Sequence, residues 1–255
     1  MYNDELKGKA VIITGGSKGI GNGVARAFAK EGANIVITGR NVTDLENAAK
    51  KLEEEFNVQV LGIPADGGNE EAVKSVIAKT VEKFGRIDCL VNNAQVSKSG
   101  TNLVDHSKED FDMAIYSGLY ATFFYMREAF PYLKETKGSV INFASGAGLF
   151  GKLGQSSYAA AKEGIRGMSR VAAAEWGGFG INVNVICPLA MTPGLERWKE
   201  EYPALYEKTI NDIPLRRFAD PETDIGGVCV FLASNAASYL TGETITLQGG
   251  SGLRP

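Results

Sequence analysis

The chain has 255 residues, of which 44% are hydrophobic and 22% are charged, and its formal net charge is −3. This composition predicts a soluble globular protein with a sizeable core, and the slightly acidic balance argues against a general binder of nucleic acid or lipid surfaces. The sequence has no signal-peptide pattern and no apolar run long enough to cross a membrane. Cys89, Cys187 and Cys229 lie in apolar runs without metal-ligand spacing, so we expect reduced core thiols, no bound metal and a cytoplasmic location.

Strand and helix patterns alternate along the chain. We predict strands at residues 9–14, 34–38, 58–63, 87–91, 139–143, 181–187 and 244–247. We predict helices at residues 22–31, at 43–56 with Thr43 or Asp44 as N-cap, at 69–84, at 108–130 ending before Pro131, in a segment that reaches residue 176, and at 220–232. This order predicts the α/β class, with one doubly wound parallel sheet flanked by helices. We expect a single domain over residues 1–255, with an aromatic-rich lid at about residues 190–217.

Ligands of such sheets bind at the carboxyl ends of the strands, where the glycine-rich and polar motifs of this chain fall. The first motif, Thr14-Gly15-x-x-x-Gly19-x-Gly21, joins a strand to a helix. Its glycines allow a tight turn and let a pyrophosphate approach the helix N-terminus, where N–H groups and the helix dipole favour anions. The motif therefore predicts a dinucleotide-binding site.

The kind of dinucleotide depends on the residues after the second strand. A carboxylate there would bind the ribose hydroxyls of NAD, but this chain has Gly39-Arg40, and Lys18 lies in the glycine loop. Two cations suit a 2′-phosphate, so we predict NADP(H). The alternative is that both cations are solvated surface charges. Asp66 could bind the adenine and Asn92-Asn93-Ala94 could pack around its ribose, but turn chemistry would explain these residues equally well.

A catalytic motif follows the strand at residues 139–143. Ser145 comes directly after that strand, and Tyr158 and Lys162 share one helix face at i and i+4. A free phenol has a pKa near ~10, which a neighbouring ammonium lowers. The serine can then hold a substrate oxygen while the tyrosine exchanges a proton with it, as carbonyl reduction or alcohol oxidation requires. By itself, Tyr-x-x-x-Lys is also common on surface helices. His106 is the only histidine, and we expect a surface residue and no histidine-based triad.

Together, the glycine motif, Asp66, Asn92-Asn93-Ala94, Ser145 and Tyr158-x-x-x-Lys162 resemble the short-chain dehydrogenase/reductase family from about residue 6 to residue 250. The resemblance implies a Rossmann-type fold and a homotetramer. It also implies that Ser145 orients the substrate oxygen, that Tyr158 is the acid/base, and that Lys162 lowers the tyrosine pKa and binds the nicotinamide ribose. By motif position, the expected cofactor-binding residues are Gly15, Ser17, Lys18, Gly19, Ile20, Gly21, Arg40, Asp66, Asn93, Tyr158, Lys162, Pro188 and Thr192.

Three positions depart from the family pattern. Gln95 and Leu189 stand where the family usually has glycines, and Gly118 stands where it has an asparagine that supports a proton-relay water. With Gly118, that relay would depend on Ser117 or on additional water. Gln95 and Leu189 would border the substrate, so the expected substrate-binding residues are Gln95, Ser145, Tyr158 and Leu189.

Residues 116–151, with Asn-Asn-Ala-Gln before them and Cys-Pro-Leu-Ala-Met-Thr after, are similar to the bile-acid 12α-hydroxysteroid dehydrogenases. The resemblance implies NADP(H)-dependent interconversion of a hydroxyl and a ketone on a steroid, at the 12α-hydroxyl of a bile acid such as cholate. A steroid needs a long apolar cleft, which Leu149, Phe150, Leu189, Met191, Trp198, Tyr202 and Tyr206 could line, with Arg197, Lys199, Lys208, Arg216 or Arg217 near its carboxylate. These aromatic residues could instead be core residues and the cations a solvated face. The alternatives are a reductase of 3-oxoacyl thioesters or sugars, and an NADP(H)-binding protein with impaired catalysis.

Overall fold

The computed structural model describes residues 5–252 and confirms a parallel sheet flanked by helices. β1 reads Ala-Val-Ile-Ile-Thr and is buried along its whole length, as expected of a strand that helices cover on both faces. The strands are β1 (Ala10–Thr14), β2 (Asn34–Gly39), β3 (Val60–Pro64), β4 (Cys89–Asn92), β5 (Ser139–Phe143), β6 (Asn182–Pro188) and β7 (Thr244–Leu247).

The strand order is β3-β2-β1-β4-β5-β6-β7, and all neighbouring strands are parallel. The chain builds outward from β1 to β3 and then returns to add β4 on the other side of β1. This reversal leaves a crevice between the ends of β1 and β4, which is where doubly wound sheets bind their ligands. Ile13 of β1 pairs with Val91 of β4, so the glycine loop and the Asn-Asn-Ala-Gln segment emerge side by side.

Successive strand residues enter two separate cores, as the period of two in a strand requires. Ile13 belongs to the core that contains Phe28, and Ile12 belongs to the opposite core with Tyr125. The α-helices of residues 5–252 are α1 (Gly19–Lys30), α2 (Val42–Phe56), α3 (Glu70–Phe84), α4 (Lys108–Ala114), α5 (Ala121–Thr136), α6 (Gly146–Phe150), α7 (Ser156–Trp176), α8 (Pro193–Glu201), α9 (Pro203–Asn211) and α10 (Gly227–Leu232).

The starts of the first two helices differ from the prediction. α1 begins at Gly19 and includes residues that we had assigned to the loop, with Lys18 in an extended conformation as its N-cap. α2 is capped by Asn41, whose Oδ1 accepts a 3.0 Å hydrogen bond from the Asp44 N–H, and not by Thr43 or Asp44. Asparagine is among the strongest N-capping residues, so this signal was present in the sequence.

The helix predicted at residues 108–130 is a succession of three segments. α4 leads into a π-helical turn at Ile115–Tyr120, which continues as α5. α5 does not end at Pro131, as predicted, but runs on to Thr136. Pro131 is exposed, so the carbonyl group that loses its N–H partner one turn earlier can bond to water. π-helical turns are frequent at functional sites, and Leu119 of this one lies against Gly164 of α7.

α8 and α9 belong to an excursion of the chain after β6, and we call residues 190–217 the lid segment. Its two ends lie together, because Ala190 and Ala219 form a parallel bridge and the Met191 N–H donates a 2.9 Å hydrogen bond to the Ala219 carbonyl. The segment and the residue after it have a small core of their own, formed by Tyr206, Ile213 and Phe218. Across residues 5–252, no helix is both long and apolar enough to span a membrane.

Candidate active site

The glycine loop forms an open cradle at the N-terminus of α1. Gly15 has a left-handed backbone (φ 67°), and a side chain at Gly21 would start 2.6 Å from Asn93 Nδ2. Lys18 caps the helix without a side-chain hydrogen bond, and the first turn has no acidic residue. The N–H groups of that turn therefore remain available to a ligand, and together with the helix dipole they favour a phosphate. The cradle fits the pyrophosphate of a dinucleotide.

Asn93 and Thr14 fasten the end of β4 to the glycine loop. Asn93 Nδ2 donates a 2.9 Å hydrogen bond to the Thr14 carbonyl, and the N–H groups of Asn93 and Ala94 donate to Thr14 Oγ1 at 3.0 Å. We predicted that Asn93 would bind the cofactor. The structure places it on the wall of the cavity described next, with its amide group holding the loop in position.

A cavity of about 420 Å³ opens over the carboxyl ends of β1, β2 and β4. This volume is within the usual range for a small-molecule or cofactor site. Among the predicted cofactor residues, the cavity wall contains Gly15, Ser17, Lys18, Ile20, Arg40, Asp66, Asn93 and Thr192, whereas Gly19, Gly21, Pro188, Tyr158 and Lys162 are not part of it. The predicted substrate residue Gln95 also lies on the wall.

One part of the cavity wall carries charges of both signs. Lys18 and Arg40 are exposed there, as the prediction of a phosphate site requires, but Asp44 lies on the same wall. Asp44 lies beyond Arg40 in the sequence, outside the end of β2 on which the NADP(H) prediction rests. Asp44 comes from the first turn of α2, where its N–H bonds to the Asn41 cap. With Asp66, the wall carries two cations and two carboxylates, so an anionic group would depend on the exposed positions of Lys18 and Arg40.

Asp66, after β3, has a structural role as well as a place on the cavity wall. Its Oδ1 accepts a 3.0 Å hydrogen bond from the Gly68 N–H, which closes a tight turn. The turn chemistry that the sequence left open for Asp66 is therefore present. A role toward adenine would use the same side chain.

Ser145, Tyr158 and Lys162 come together at the carboxyl end of β5. Ser145 caps α6, and its Oγ accepts a 3.1 Å hydrogen bond from the Ala147 N–H. Lys162 Nζ lies 5.6 Å from the centre of the Tyr158 ring and donates a 2.7 Å hydrogen bond to the Phe143 carbonyl. The helix face that carries the tyrosine and the lysine thus meets the strand end that carries the serine.

Burial sets the proton affinities in this group. Burial raises the pKa of Tyr158, and a hydrogen bond with Ser145 acts in the opposite direction. Lys162 is 3% exposed, and its burial lowers its pKa to about 7. That Lys162 lowers the pKa of Tyr158 stays a prediction: burial is the main influence on the pKa of the phenol, and burial also reduces the charge of the lysine. Both protonation states of Lys162 are populated near neutral pH, which suits proton exchange.

A buried polar chain, which sequence reasoning missed, runs from the cavity wall to α7. Asn92 Nδ2 donates to Asn142 Oδ1 at 2.8 Å, Asn142 Nδ2 donates to Ser169 Oγ at 2.8 Å, and Ser169 Oγ donates to the Ile165 carbonyl at 2.6 Å. These bonds tie β4 and β5 to the helix that carries Tyr158 and Lys162. The signal for the chain was a polar residue, Asn142, in an otherwise apolar strand, since buried polar groups require partners.

The unusual residues Gln95 and Gly118 lie against each other. A side chain at Gly118 would place its Cβ 2.6 Å from Cδ and 2.7 Å from Oε1 of Gln95, so the Gln95 carboxamide fills that space. The hydroxyl of Ser117, which could take the place of the missing asparagine, is engaged by backbone groups of its neighbours. Its hydroxyl accepts a bond from the Val96 N–H at 3.1 Å, and its single O–H has two carbonyl acceptors within reach, that of Met113 at 2.6 Å and that of Val96 at 2.9 Å.

The predicted apolar cleft residues are divided between several environments. Leu189, Met191 and Trp198 are partly buried against Tyr206 and the rest of the lid core. The alternative that the predicted cleft residues are core residues therefore holds for some of them. Leu149 packs instead against the ends of β5 and β6. Phe150 and Tyr202 are exposed.

Several of the predicted carboxylate-binding cations have partners within the protein. Arg217 forms an ion pair with Asp224, and Arg216 donates to the Asn211 carbonyl. Lys199 Nζ lies 4.9 Å from the centre of the Tyr206 ring. Arg197 and Lys208 are exposed on the lid segment.

His106 lies between Asp105 and Ser107, which are both exposed. It is partly buried and packs edge-on against Phe111 at 6.4 Å. Within residues 5–252, no group of three or more His, Cys, Asp and Glu side chains is arranged to hold a metal ion. At the carboxyl end of β5, Ser145, Tyr158 and Lys162 form an arrangement suited to proton exchange at a carbonyl or hydroxyl oxygen.

Comparisons with known proteins agree with this arrangement. Residues 15–251 match the family model described as Enoyl-(Acyl carrier protein) reductase. A 12alpha-hydroxysteroid dehydrogenase from Clostridium sp. is 59% identical over 97% of this chain and 98% of its own length. A 3-oxoacyl-acyl-carrier-protein reductase from Thermotoga maritima is 37% identical over 96% of this chain and 98% of its own length.

The fold agrees as well. The crystal structure of levodione reductase superposes with a TM-score of 0.90 at 31% identity, covering 97% of this chain and 98% of that one. The motif-based resemblance is thus confirmed over nearly the whole sequence. The chain belongs to the short-chain dehydrogenase/reductase family, whose members are oxidoreductases that use a nicotinamide cofactor.

Proposed function

We propose that the protein is an NADP(H)-dependent oxidoreductase that interconverts a secondary hydroxyl and a ketone on a steroid, at the 12α position of a bile acid such as cholate. The observation that carries this proposal is the 59% identity to a 12alpha-hydroxysteroid dehydrogenase over 97% of the chain. Identity to the 3-oxoacyl reductase of Thermotoga maritima, over a similar span, is 37%.

The site contains the side chains that such a reaction needs. The bound nicotinamide cofactor would supply or accept the hydride. Ser145 holds the substrate oxygen by a hydrogen bond, and Tyr158 exchanges a proton with that oxygen. Lys162, with its pKa near 7, gives a proton to the tyrosine or takes one from it. The hydrogen bond to the Phe143 carbonyl keeps its amine beside the ring.

The preference for NADP(H) is supported by two exposed cations, Lys18 and Arg40, on a cavity wall that also carries Asp44 and Asp66. Lys18 and Arg40 present two cations to a 2′-phosphate, while Asp44 opposes them. We therefore expect a higher kcat/KM with NADP than with NAD. Steady-state kinetics with both cofactors test this, and a higher kcat/KM with NAD would refute the preference.

The steroid itself requires an apolar surface next to Tyr158. Leu189, Met191 and Trp198 supply partly buried apolar groups between β6 and the lid segment. Arg197 and Lys208 are exposed cations on the same segment, and either would suit the carboxylate of a bile acid. A rigid apolar molecule with one anionic end matches this distribution.

The first experiment is to mix the purified protein with NADP and cholate and to follow the absorbance of the reduced nicotinamide. Chenodeoxycholate, which has no 12-hydroxyl, is the matched control. Reduction of NADP with cholate alone supports both the steroid and the position. Equal rates with both acids would show that the reaction occurs at a carbon other than C12. Activity on neither acid but on 3-oxoacyl thioesters would replace the proposal with the alternative reductase.

We also propose that the protein is a homotetramer. Tyr116 and Tyr120 stack at 4.9 Å, with Tyr120 next to Phe124 at 5.7 Å. Tyr116, Tyr120 and the neighbouring Phe123 are 51%, 41% and 39% exposed, respectively. A contiguous exposed row of large aromatic residues is typical of a protein–protein contact. Light scattering should give a mass four times that of the chain, and a monomeric mass would refute this inference.

A further inference from the structure

We propose that Gln248, directly after β7, is a positioning residue for Ser145. Its carboxamide lies against Gly146, the residue that follows Ser145, and fixes the short helix α6 that Ser145 caps. The inference rests on the oxidoreductase activity proposed above. It deepens that proposal, because it names a residue outside the catalytic group that determines where the serine hydroxyl lies.

The position of the Ser145 hydroxyl depends on α6. Ser145 is the N-cap of this helix, and its Oγ accepts a 3.1 Å hydrogen bond from the Ala147 N–H. α6 has five residues, of which Phe150 is exposed and the others are partly buried. A helix of this length is not stable by itself. Contacts with the rest of the protein must therefore hold the helix, and the serine with it, in place.

The carboxamide of Gln248 fills the space beside Gly146. A Cβ at Gly146 would lie 2.4 Å from Nε2 and 2.9 Å from Oε1 of Gln248, closer than side chains approach one another. Gly146 is the first residue of α6 and does not have a positive φ, so the glycine serves to leave room and not to permit an unusual turn. Because glycine has no side chain, Gln248 packs directly on the backbone beside Ser145.

The same carboxamide is held by other contacts as well. Gln248 is 9% exposed, and its Nε2 donates a 3.3 Å hydrogen bond to the Cys187 carbonyl near the end of β6. A Cβ at Gly252 would lie 2.4 Å from Gln248 Oε1. Ser251 closes the turn, because its N–H and its Oγ donate hydrogen bonds of 3.0 Å and 2.6 Å to the Gln248 carbonyl. The side chain therefore cannot move away from Gly146 without disturbing these contacts.

Gln248 and Glu163 hold α6 at two different points. A Cβ at Gly148 would lie 2.7 Å from Glu163 Oε1, and Glu163 belongs to α7, which also carries Tyr158. Glu163 thus fixes α6 to the helix of the tyrosine, while Gln248 fixes it to the ends of β6 and β7. Without the Gln248 side chain, α6 would keep its contact with α7 but lose the contact with the sheet. Ser145 would then shift relative to the strands that carry the site.

The effect on catalysis follows from the role of the serine. Ser145 holds the substrate oxygen while Tyr158 exchanges a proton with it, so both hydroxyl groups must reach one atom. A misplacement of about 1 Å can lower the rate of such a reaction about 100-fold. Gln248 lies outside the wall of the cavity over β1, β2 and β4. Loss of its side chain should therefore lower turnover and leave cofactor binding unchanged.

The test is Gln248→Ala, measured together with Ser145→Ala and the double variant. We expect kcat of Gln248→Ala to fall about 10- to 100-fold, with the Kd for NADPH close to wild type. If Gln248 acts through the serine, adding Gln248→Ala to Ser145→Ala causes no further loss. A merely structural role would lower the rate equally in both backgrounds. Losses that multiply in the double variant, or an unchanged kcat in Gln248→Ala, would overturn the proposal. Gln59→Ala, at an exposed glutamine before β3, is the matched control and should change neither quantity.

Gly146→Ala disturbs the same contact from the other side and keeps the proposal testable if Gln248→Ala does not fold. The added methyl group overlaps the carboxamide, so kcat should fall about 10-fold or more. Gln248→Asn has a carboxamide that is one methylene group shorter, which leaves room for the methyl group. Combining it with Gly146→Ala should therefore raise kcat above that of Gly146→Ala alone. A wild-type rate in Gly146→Ala, or no recovery in the combined variant, contradicts the assignment.

Hydrogen exchange gives a readout that does not depend on the substrate. In Gln248→Ala, the amides of α6 should exchange faster than in wild type, while those at the centre of α7 should not change. Unchanged exchange in α6 overturns the proposal. If no hydroxysteroid is turned over, the proposed function fails, whereas the exchange of α6 still decides the role of Gln248.

Discussion

Replacing Lys162 with methionine tests whether the protein loses stability in order to keep a buried amine beside Tyr158. The side chain is 3% exposed, and burial lowers its pKa from 10.5 to about 7. Methionine has a similar length and no charge. We therefore expect Lys162→Met to abolish activity and yet to make the ligand-free protein more stable than wild type near neutral pH.

The magnitude follows from the shift in pKa. At about 1.4 kcal/mol per pKa unit, moving the pKa of Lys162 to about 7 destabilises the fold by roughly 4 kcal/mol at neutral pH. The variant also leaves the Phe143 carbonyl without its 2.7 Å partner, which costs about 1–3 kcal/mol. The net gain is of order 2 kcal/mol, or a rise in melting temperature of roughly 4–8 °C for a chain of this size.

The gain should depend on pH in a defined direction. Below the folded-state pKa of about 7, both the folded and the unfolded states bind the proton, and the full penalty is present. Between about 7 and about 10.5, the unfolded lysine binds a proton that the folded one does not, so wild-type stability rises with pH through this range. The advantage of Lys162→Met should therefore shrink as the pH increases.

Thermal unfolding of both proteins at about pH 6.5 and about pH 9.5 measures their difference in stability below and above the folded-state pKa of Lys162. Lys152→Met, at an exposed lysine, is the control for replacing a lysine by methionine and should have little effect at either pH. A Lys162→Met protein that is less stable than wild type at both pH values, or an advantage that does not change with pH, would refute the reasoning.

Three further predictions concern the cofactor and catalytic sites. Tyr158→Phe should lower kcat by about 100-fold or more while NADPH binding, measured by fluorescence titration, stays close to wild type; a near-wild-type rate would rule out the acid/base role. Arg40→Ala should raise the KM for NADP about 10-fold or more, through loss of a charge-assisted phosphate contact, and leave the KM for NAD nearly unchanged; equal losses with both cofactors would contradict the phosphate role. Asn142→Leu should destabilise the fold by about 1–3 kcal/mol in urea denaturation, because Asn92 and Ser169 lose their buried partner; an unchanged midpoint would show that the polar chain is dispensable.

The sheet and the positions of the main motifs could be predicted because their signals are local. Apolar runs such as residues 10–14, followed directly by glycines, indicate buried strands whose ends face a ligand. The spacing of Tyr158 and Lys162 likewise places both on one helix face without knowledge of the tertiary structure. Alternating strands and helices then leave few topologies to consider.

The remaining features depend on contacts between distant parts of the chain. Whether Pro131 ends a helix depends on whether its side of the helix faces water, and the pKa of Tyr158 depends on how deeply α7 is buried. The fit of Gln95 beside Gly118 joins residues that are far apart in the sequence. Each of the two residues departs from the family pattern in the sequence, but only the tertiary structure brings them into one volume.

The paired ends of the lid segment have a consequence for how specificity can change within the fold. Ala190 and Ala219 lie side by side, because Ala219 exchanges backbone hydrogen bonds with Leu189 and Met191. The chain therefore leaves the sheet and returns to it at nearly one point. A segment that begins and ends at one place can be exchanged for another of different length with little change in the entropy of loop closure. Chimeras joined at these two alanines would place the lid segment of one family member on the sheet and catalytic residues of another. Substrate specificity could then change while the residues that serve hydride transfer stay the same.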